Sequence, residues 1–270
     1  MDTWVLFHGP YCRDGFAAAL AANLKLGHEA KYVPIGYDEE LPDIPDNSRV
    51  YMLDVSRPRD IMDELSRRCH FTIIDHHATS RRACEGADYA IFDMTKSGAV
   101  LAWEYFHKDK PVPELFLYIQ DRDLWKNKLP RTKEINIAIK SFSMNFNVWE
   151  TWLDPKRFQE LIPQGAIILA YQHQLIEDIL NLAETQNKWV FVNSSCLMSE
   201  LGHELLERFP EAEVACVYWQ RADRKWQYSL RSRPGGVDVS RIAEQHGGGG
   251  HPTAAGYVEP NLGLLPTYGE

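Results

Sequence analysis

The chain has 270 residues, 44% of them hydrophobic and 25% charged, which marks a globular protein and excludes a disordered one. Its 29 Lys and Arg against 38 Asp and Glu leave a net charge of −9. That balance excludes tight binding to long nucleic acid, whose affinity comes from cations displacing counterions at many phosphates, but leaves open a small anion held by a local pocket or by metal ions.

The first half alternates short β-rich runs with helical spacing. Thr3–His8 reads as a strand and Gly15–Leu26 as an alanine-rich helix. Lys31–Ile35, Arg49–Asp54 and Phe71–Asp75 read as further strands, with a helix over Ile61–Cys69 between the last two. Such alternation predicts a parallel sheet with helices on both faces, and ligands at the carboxyl ends of its strands beside a topological switch point. From Ser97 the pattern is helical: Ser97–His107 with Ser97 as N-cap, a helix running to Asp121, another over Thr132–Ser143, and a long periodic stretch over Phe158–Asn187 broken early by Pro163. Two β-rich runs follow, Ala212–Trp219 and Trp226–Arg233, then a Gly-Gly turn and a helix over Val239–His246. Residues 261–270 read as a loose tail. The predicted organisation is α/β: a parallel-sheet domain over 1–150, a helical connector over 151–188 and a smaller mixed α/β domain over 189–270.

No apolar run reaches the roughly 18–20 residues that cross a bilayer, and MDTWVLFHG lacks the pattern of a secretory signal. The five cysteines, Cys12, Cys69, Cys84, Cys196 and Cys216, are odd in number and scattered, with no CxxC pair. They argue against a disulfide framework and for a reducing, cytoplasmic setting.

Three strand ends carry groups able to bind metal: His8, Asp54 and the run Asp75-His76-His77. The loop His8-Gly9-Pro10-Tyr11-Cys12-Arg13-Asp14-Gly15 adds Cys12 and Asp14, and Asp121 and Asp123 stand in YIQDRDLW. Each has a plainer role too, since a strand-end Asp often caps the next helix. Together they are carboxylates and imidazoles without a thiolate majority, which suits Mn²⁺, Mg²⁺ or Fe²⁺ better than structural zinc. More carboxylates than one ion needs suggests two ions bridged by a shared Asp, the arrangement used for in-line displacement at phosphorus. Near the C-terminus, four successive glycines, Gly247 to Gly250, expose backbone N–H groups able to cradle phosphate, although such runs also serve as linkers. Arg231 is the first candidate for a bidentate phosphate contact, with Arg233 on the same strand face by the period of two. Trp125, four residues after Asp121, is the candidate for base stacking.

The triplet Asp75-His76-His77, the upstream loop from His8 to Gly15 and the intervening strand-end Asp54 resemble the DHH phosphoesterase family, which includes nanoRNA-degrading phosphodiesterases, RecJ-type exonucleases, cyclic-dinucleotide phosphodiesterases and family II pyrophosphatases. Ser229–Arg233, Gly236–Ser240 and Gly247–Gly256 resemble the substrate-binding domain associated with it. The resemblance implies two metal ions, Mn²⁺ first, with Mg²⁺, Co²⁺ or Fe²⁺ as alternatives. It implies that His8 and Asp54 hold one ion, that Asp14, Asp54, His76 and Asp121 hold the other, and that Asp54 bridges them. Cys12 stands where the common pattern has an Asp; it is either a softer ligand or none. The resemblance further implies that His77 faces the scissile phosphate and that Asp75 orients His76, with Asp123 behind the ligands. Arg231, Arg233, Gly248, Gly249, Gly250 and His251 would hold substrate, and His77, Asp54 and Arg231 would carry catalysis.

The expected protein is a metal-dependent hydrolase with exonuclease-like action on short oligonucleotides or dinucleotides, releasing mononucleotides. The expected partners exclude membrane and long duplex DNA and leave oligomeric state, a dimer included, open. Two alternatives are a phosphatase for a small nucleotide such as pAp or for pyrophosphate, and a nucleotide-binding sensor with weakened catalysis.

Overall fold

The computed structural model describes residues 1–36 and 39–262, with Ala78 and Thr79 described by backbone alone; the end of the expected tail, residues 263–270, lies outside the described residues. The chain divides into two compact units, Met1–Leu169 and Ala170–Glu270. Among the described residues no helix is long and apolar enough to cross a membrane.

The first unit is built on β1 (Thr3–His8), α1 (Arg13–Leu26), β2 (Lys31–Ile35), β3 (Arg49–Leu53), α2 (Arg59–Arg68), β4 (His70–Asp75), α3 (Ala78–Ala83) and β5 (Ala90–Phe92). Its five strands are all parallel, in the order β2-β1-β3-β4-β5. The chain leaves β1 first toward β2 and then returns to the other side at β3, so the switch point lies between the ends of β1 and β3. The strands are near-continuous apolar runs because both faces are covered. Val5, Phe7, Tyr51, Leu53 and Ile74 point into one core, with the alanines of α1. Trp4, Leu6, Val50, Met52 and Ile73 point into the other, with Met62 and Leu65 of α2.

The first core is closed by α4 (Gly98–Phe106), α5 (Glu114–Asp123), α6 (Thr132–Ser141), α7 (Phe146–Glu150), a 3₁₀ turn at Thr151–Leu153 and α8 (Pro155–Gln159). Ser97 is the N-cap of α4, its hydroxyl accepting from the Val100 N–H at 3.5 Å. The expected helical stretch over Phe158–Asn187, broken early, is α8, then α9 (Leu161–Leu180), then β6 (Glu184–Gln186). Pro163 does not cause the break: it stands in the first turn of α9, where its missing N–H has no intrahelical partner to lose.

The second unit continues with β7 (Trp189–Asn193), α10 (Met198–Arg208), β8 (Val214–Gln220), β9 (Trp226–Ser232), α11 (Val239–Gln245), β10 (Gly249–His251) and β11 (Ala254–Glu259). Its sheet has the order β10-β11-β9-β8-β7-β6, antiparallel except for the parallel pair β7 and β8. Val190, Val192, Ala215 and Val217 pack under α10, and Phe191, Cys216, Tyr228 and Leu230 pack under α11, again by the period of two.

Candidate active site

The first unit gathers its chemistry at the carboxyl ends of its strands. His8 ends β1, Asp54 follows β3, and Asp75, His76 and His77 close β4. Asp54 is 1% exposed and sits at φ +59°, a left-handed conformation that Asp adopts more readily than most side chains. Its two oxygens face different groups. Oδ2 lies 3.5 Å from Cys12 Sγ and 3.5 Å from His8 Nδ1. Oδ1 lies 3.2 Å from His76 Nε2 and 3.8 Å from His77 Nδ1.

Asp14, in the first turn of α1, is 2% exposed and turns to the N-terminus of α4. Its Oδ2 accepts the Gly98 N–H at 2.6 Å and its Oδ1 accepts the Ala99 N–H at 3.0 Å. That helix N-terminus is therefore already capped, by a carboxyl group of the chain itself. Asp14 Oδ2 also lies 3.6 Å from His76 Nε2.

Of the two acids at the end of α5, Asp123 and not Asp121 reaches the cluster. Asp123 Oδ2 is 3.6 Å from His76 Nε2. The Asp121 carboxylate instead organises the following loop, accepting the N–H groups of Lys128 and Leu129 at 2.9 and 3.0 Å and the Thr132 hydroxyl at 2.7 Å. Burial opposes its ionisation, yet these bonds hold its pKa below the usual value. The two acids are accordingly separable. Asp121→Ala will cost about 3 kcal/mol of stability by orphaning those donors. Asp123→Ala will leave thermal unfolding in chelator nearly unchanged and lower Mn²⁺ affinity at least about tenfold. Calorimetric melting and Mn²⁺ titration of both variants check this, and the reverse pattern would return the role to Asp121.

Asp75 also departs from expectation. Its Oδ1 accepts the backbone N–H of His76 at 2.6 Å and that of His77 at 3.1 Å, and pairs with His77 Nδ1 at 2.7 Å. The ring it orients is that of His77, which leaves the His76 ring free to turn toward Asp54, Asp14 and Asp123. The Asp75 bond is the leading cause that raises the His77 pKa above its ordinary value.

The electrostatics are those of a site short of positive charge. Burial and then the Asp54 charge push Asp14 well above the carboxylate range, and the same two causes push Asp123 up. Burial also raises Cys12, with Asp54 adding to it. Burial works against ionised Asp54, but His76 and His8 beside it bring it down to about 2. Burial would depress His76, yet Asp54, with Asp14 adding to it, lifts it to about 9.

The donor set fits divalent cations. His8, Cys12 and Asp54 offer ligand atoms within 4.8 Å of one another, as do Asp14, His76 and Asp123. Asp54 Oδ1 and His76 Nε2 are buried and, 3.2 Å apart, meet each other as an ion pair without a well-aligned hydrogen bond, although buried polar atoms nearly always find one. A cation satisfies both lone pairs at once.

In the second unit Arg231 and Arg233 part company. Arg231 lies along β9, donating to the Leu230 carbonyl at 2.9 Å and the Ser199 hydroxyl at 3.0 Å, and burial lowers its pKa. Arg233 lies one residue beyond β9, and its guanidinium donates to the carbonyls of Leu206, Phe209 and Ala212, the first two at the C-terminal end of α10. It is a helix cap and not a companion to Arg231. The glycine run is half turn and half strand: Gly247 and Gly248 follow α11, with the Gly248 N–H bonded to the Ala243 carbonyl at 2.8 Å, and Gly249–His251 form the edge strand β10. A Cβ on Gly248 would meet the Gly256 carbonyl at 2.2 Å, and one on Gly250 the Ala254 carbonyl at 2.5 Å. Close packing on β11 demands these two glycines, while Gly249 faces open space and His251 is exposed.

A family model described as the DHHA1 domain matches residues 197–267, the stretch that holds Arg231 and the glycine run. Uncharacterized protein R106 of Acanthamoeba polyphaga mimivirus is 33% identical over 291 residues, covering 97% of this chain and 69% of that protein. Among solved structures, a pGpG-specific phosphodiesterase from Vibrio cholerae aligns with a TM-score of 0.59 at 11% identity, over 96% of this chain and 93% of its own. An exopolyphosphatase-related protein from Bacteroides fragilis gives 0.56 at 15% identity, over 98% and 88%. An exonuclease RecJ bound to manganese gives 0.52 at 14% identity, over 95% and 86%. At these identities the likeness to the three structures is one of fold.

Proposed function

The chain belongs to the DHH family of metal-dependent phosphoesterases, and on that footing we propose that it hydrolyses phosphodiester bonds in short oligonucleotides or dinucleotides to mononucleotides. One observation carries the reading: the two oxygens of buried Asp54 serve two different donor groups, His8 with Cys12 on one side and His76 on the other. That arrangement supports a carboxylate able to bridge two ions. The proposed ligands are His8, Cys12 and Asp54 for one ion, and Asp14, Asp54, His76 and Asp123 for the second, with Mn²⁺ foremost. Divalent ions held there supply Lewis acidity and bring the ionisation of water toward neutral pH.

The chain's own groups do the rest. Asp75 fixes the His77 ring through Nδ1, and Nε2 is the nitrogen we assign to substrate. The raised pKa of His77 favours the imidazolium, whose Nε2–H donates to a phosphoryl oxygen as negative charge builds in the transition state. Arg231 supplies a guanidinium for a phosphate in the second unit. Trp125 is 66% exposed, two residues past Asp123, with Arg122 3.7 Å over its ring. An aromatic face so placed supports a substrate that carries a base.

A panel assay tests the reading. With Mn²⁺, pApA and short RNA or DNA oligomers should release 5′-mononucleotide with kcat/KM at least about tenfold above that for pAp or pyrophosphate. Phosphate release confined to pAp or pyrophosphate would make the protein a phosphatase, and tight nucleotide binding without turnover would make it a sensor. Arg231→Ala should raise KM roughly 10–100-fold, the worth of one charged hydrogen-bond donor. Arg233→Ala should lower the melting temperature and leave KM unchanged.

A further inference from the structure

The ends of β1 and β3 and the loop before α1 bring three different donor elements together: an imidazole nitrogen, a sulfur and a carboxylate oxygen. The sulfur is not placed by chance rotation. Cys12 is the N-cap of α1, and its Sγ accepts the Gly15 N–H at 3.5 Å. Sγ and His8 Nδ1 each stand 3.5 Å from Asp54 Oδ2. A thiolate at roughly 2.3 Å and a carboxylate at about 2.0 Å from one tetrahedral ion stand about 3.5 Å apart, whereas at right angles on an octahedral ion they stand about 3.1 Å apart. The observed 3.5 Å is also that of a thiol hydrogen bond, and it lets both atoms meet one ion. Across Asp54, the donors of the second group are all nitrogen and oxygen, from Asp14, His76 and Asp123. The two halves of the cluster therefore differ in softness as well as in position.

We propose that the centre is asymmetric, with His8, Cys12 and Asp54 selecting a borderline ion such as Zn²⁺, Fe²⁺ or Co²⁺, and Asp14, Asp54, His76 and Asp123 keeping a harder one such as Mn²⁺ or Mg²⁺. The assignment rests on the two-ion reading above and adds a preference to each half. Cys12 binds as thiolate, its proton passing to solvent as the ion enters.

Cobalt reports on this directly. The full-length chain, stripped with chelator, is titrated with Co²⁺ while its absorption is followed. The expected result is a thiolate-to-cobalt charge-transfer band in the near ultraviolet that saturates at one ion per chain. The band persists in Cys196→Ser, which removes the exposed thiol, and disappears in Cys12→Ser, which still shows the weaker visible bands of cobalt at nitrogen and oxygen. Cys12→Asp, a second variant for use if Ser fails to fold, should lose the band and at least about tenfold in Zn²⁺ affinity. A wild-type protein that shows the visible bands without the ultraviolet one overturns the thiolate assignment and leaves the two-ion reading standing. A band that survives in Cys12→Ser or Cys12→Asp overturns the assignment as well. No cobalt spectrum in any form overturns both.

Discussion

Asp54→Asn will reduce hydrolysis by at least roughly 10³-fold at saturating Mn²⁺, a loss of about 4 kcal/mol of transition-state stabilisation, while the chelator-treated protein melts within about 1 kcal/mol of the parent. The two halves of this result have separate causes. Asn keeps the shape of Asp and tolerates the left-handed backbone at this position. It also removes one of the buried negative charges that push Asp14 and Asp123 above their ordinary pKa values, which offsets the loss of the attraction to His8 and His76. Folding is therefore nearly indifferent to the change. Function is not, because an amide presents one neutral oxygen where Oδ1 and Oδ2 face separate donor groups. Steady-state kinetics and calorimetry on the same preparation decide it; a variant keeping a tenth of the activity would refute the bridging role.

The second large effect comes from a residue with no side chain. A Cβ on Gly98 would stand 2.7 Å from Asp54 Oδ1 and 2.9 Å from its Cγ, closer than real atoms approach. Gly98→Ala must therefore push Asp54 aside or lift the start of α4, and the second response breaks the bonds that the Gly98 and Ala99 amides give Asp14. A displacement near 1 Å in a proposed ligand lowers kcat about 10²-fold, and the crowding lowers stability by about 1–3 kcal/mol. Substrate affinity should change little, because nothing at Gly98 is proposed to touch substrate. A rise in KM with kcat unchanged would show that the contact does not govern the metal ligands.

The strand ends were legible because a buried parallel strand is an unbroken apolar run, and His8, Asp54 and Asp75 are the polar residues that stop or follow such runs. Spacing alone brings them to the same edge of the sheet. The choice between Asp121 and Asp123 was not legible. Two residues along a helix differ by about 200° in direction, so one of the pair had to point away, and which one depends on how α5 rolls against α1 and α4. Arg233 was misplaced for a related reason. The period of two holds only within a strand, and β9 ends at Ser232, so the turn and not the pleat aims the next side chain. The β7 and α10 elements escaped because the helix has no cap signal: Leu197 precedes it at φ +55° with no side-chain bond to its amides. The glycine run was read as chemistry when Gly248 and Gly250 answer first to packing on β11.

The backbone at Asp54 sets a filter on how this sequence can drift. At φ +59° the position admits Asp, Asn and Gly at little strain, while Glu, the other carboxylate, would add the penalty of a bulkier residue in a left-handed turn. Conservative exchange is thus closed, and the steps left open, to Asn or Gly, suit the backbone while removing the carboxylate proposed to bridge the ions.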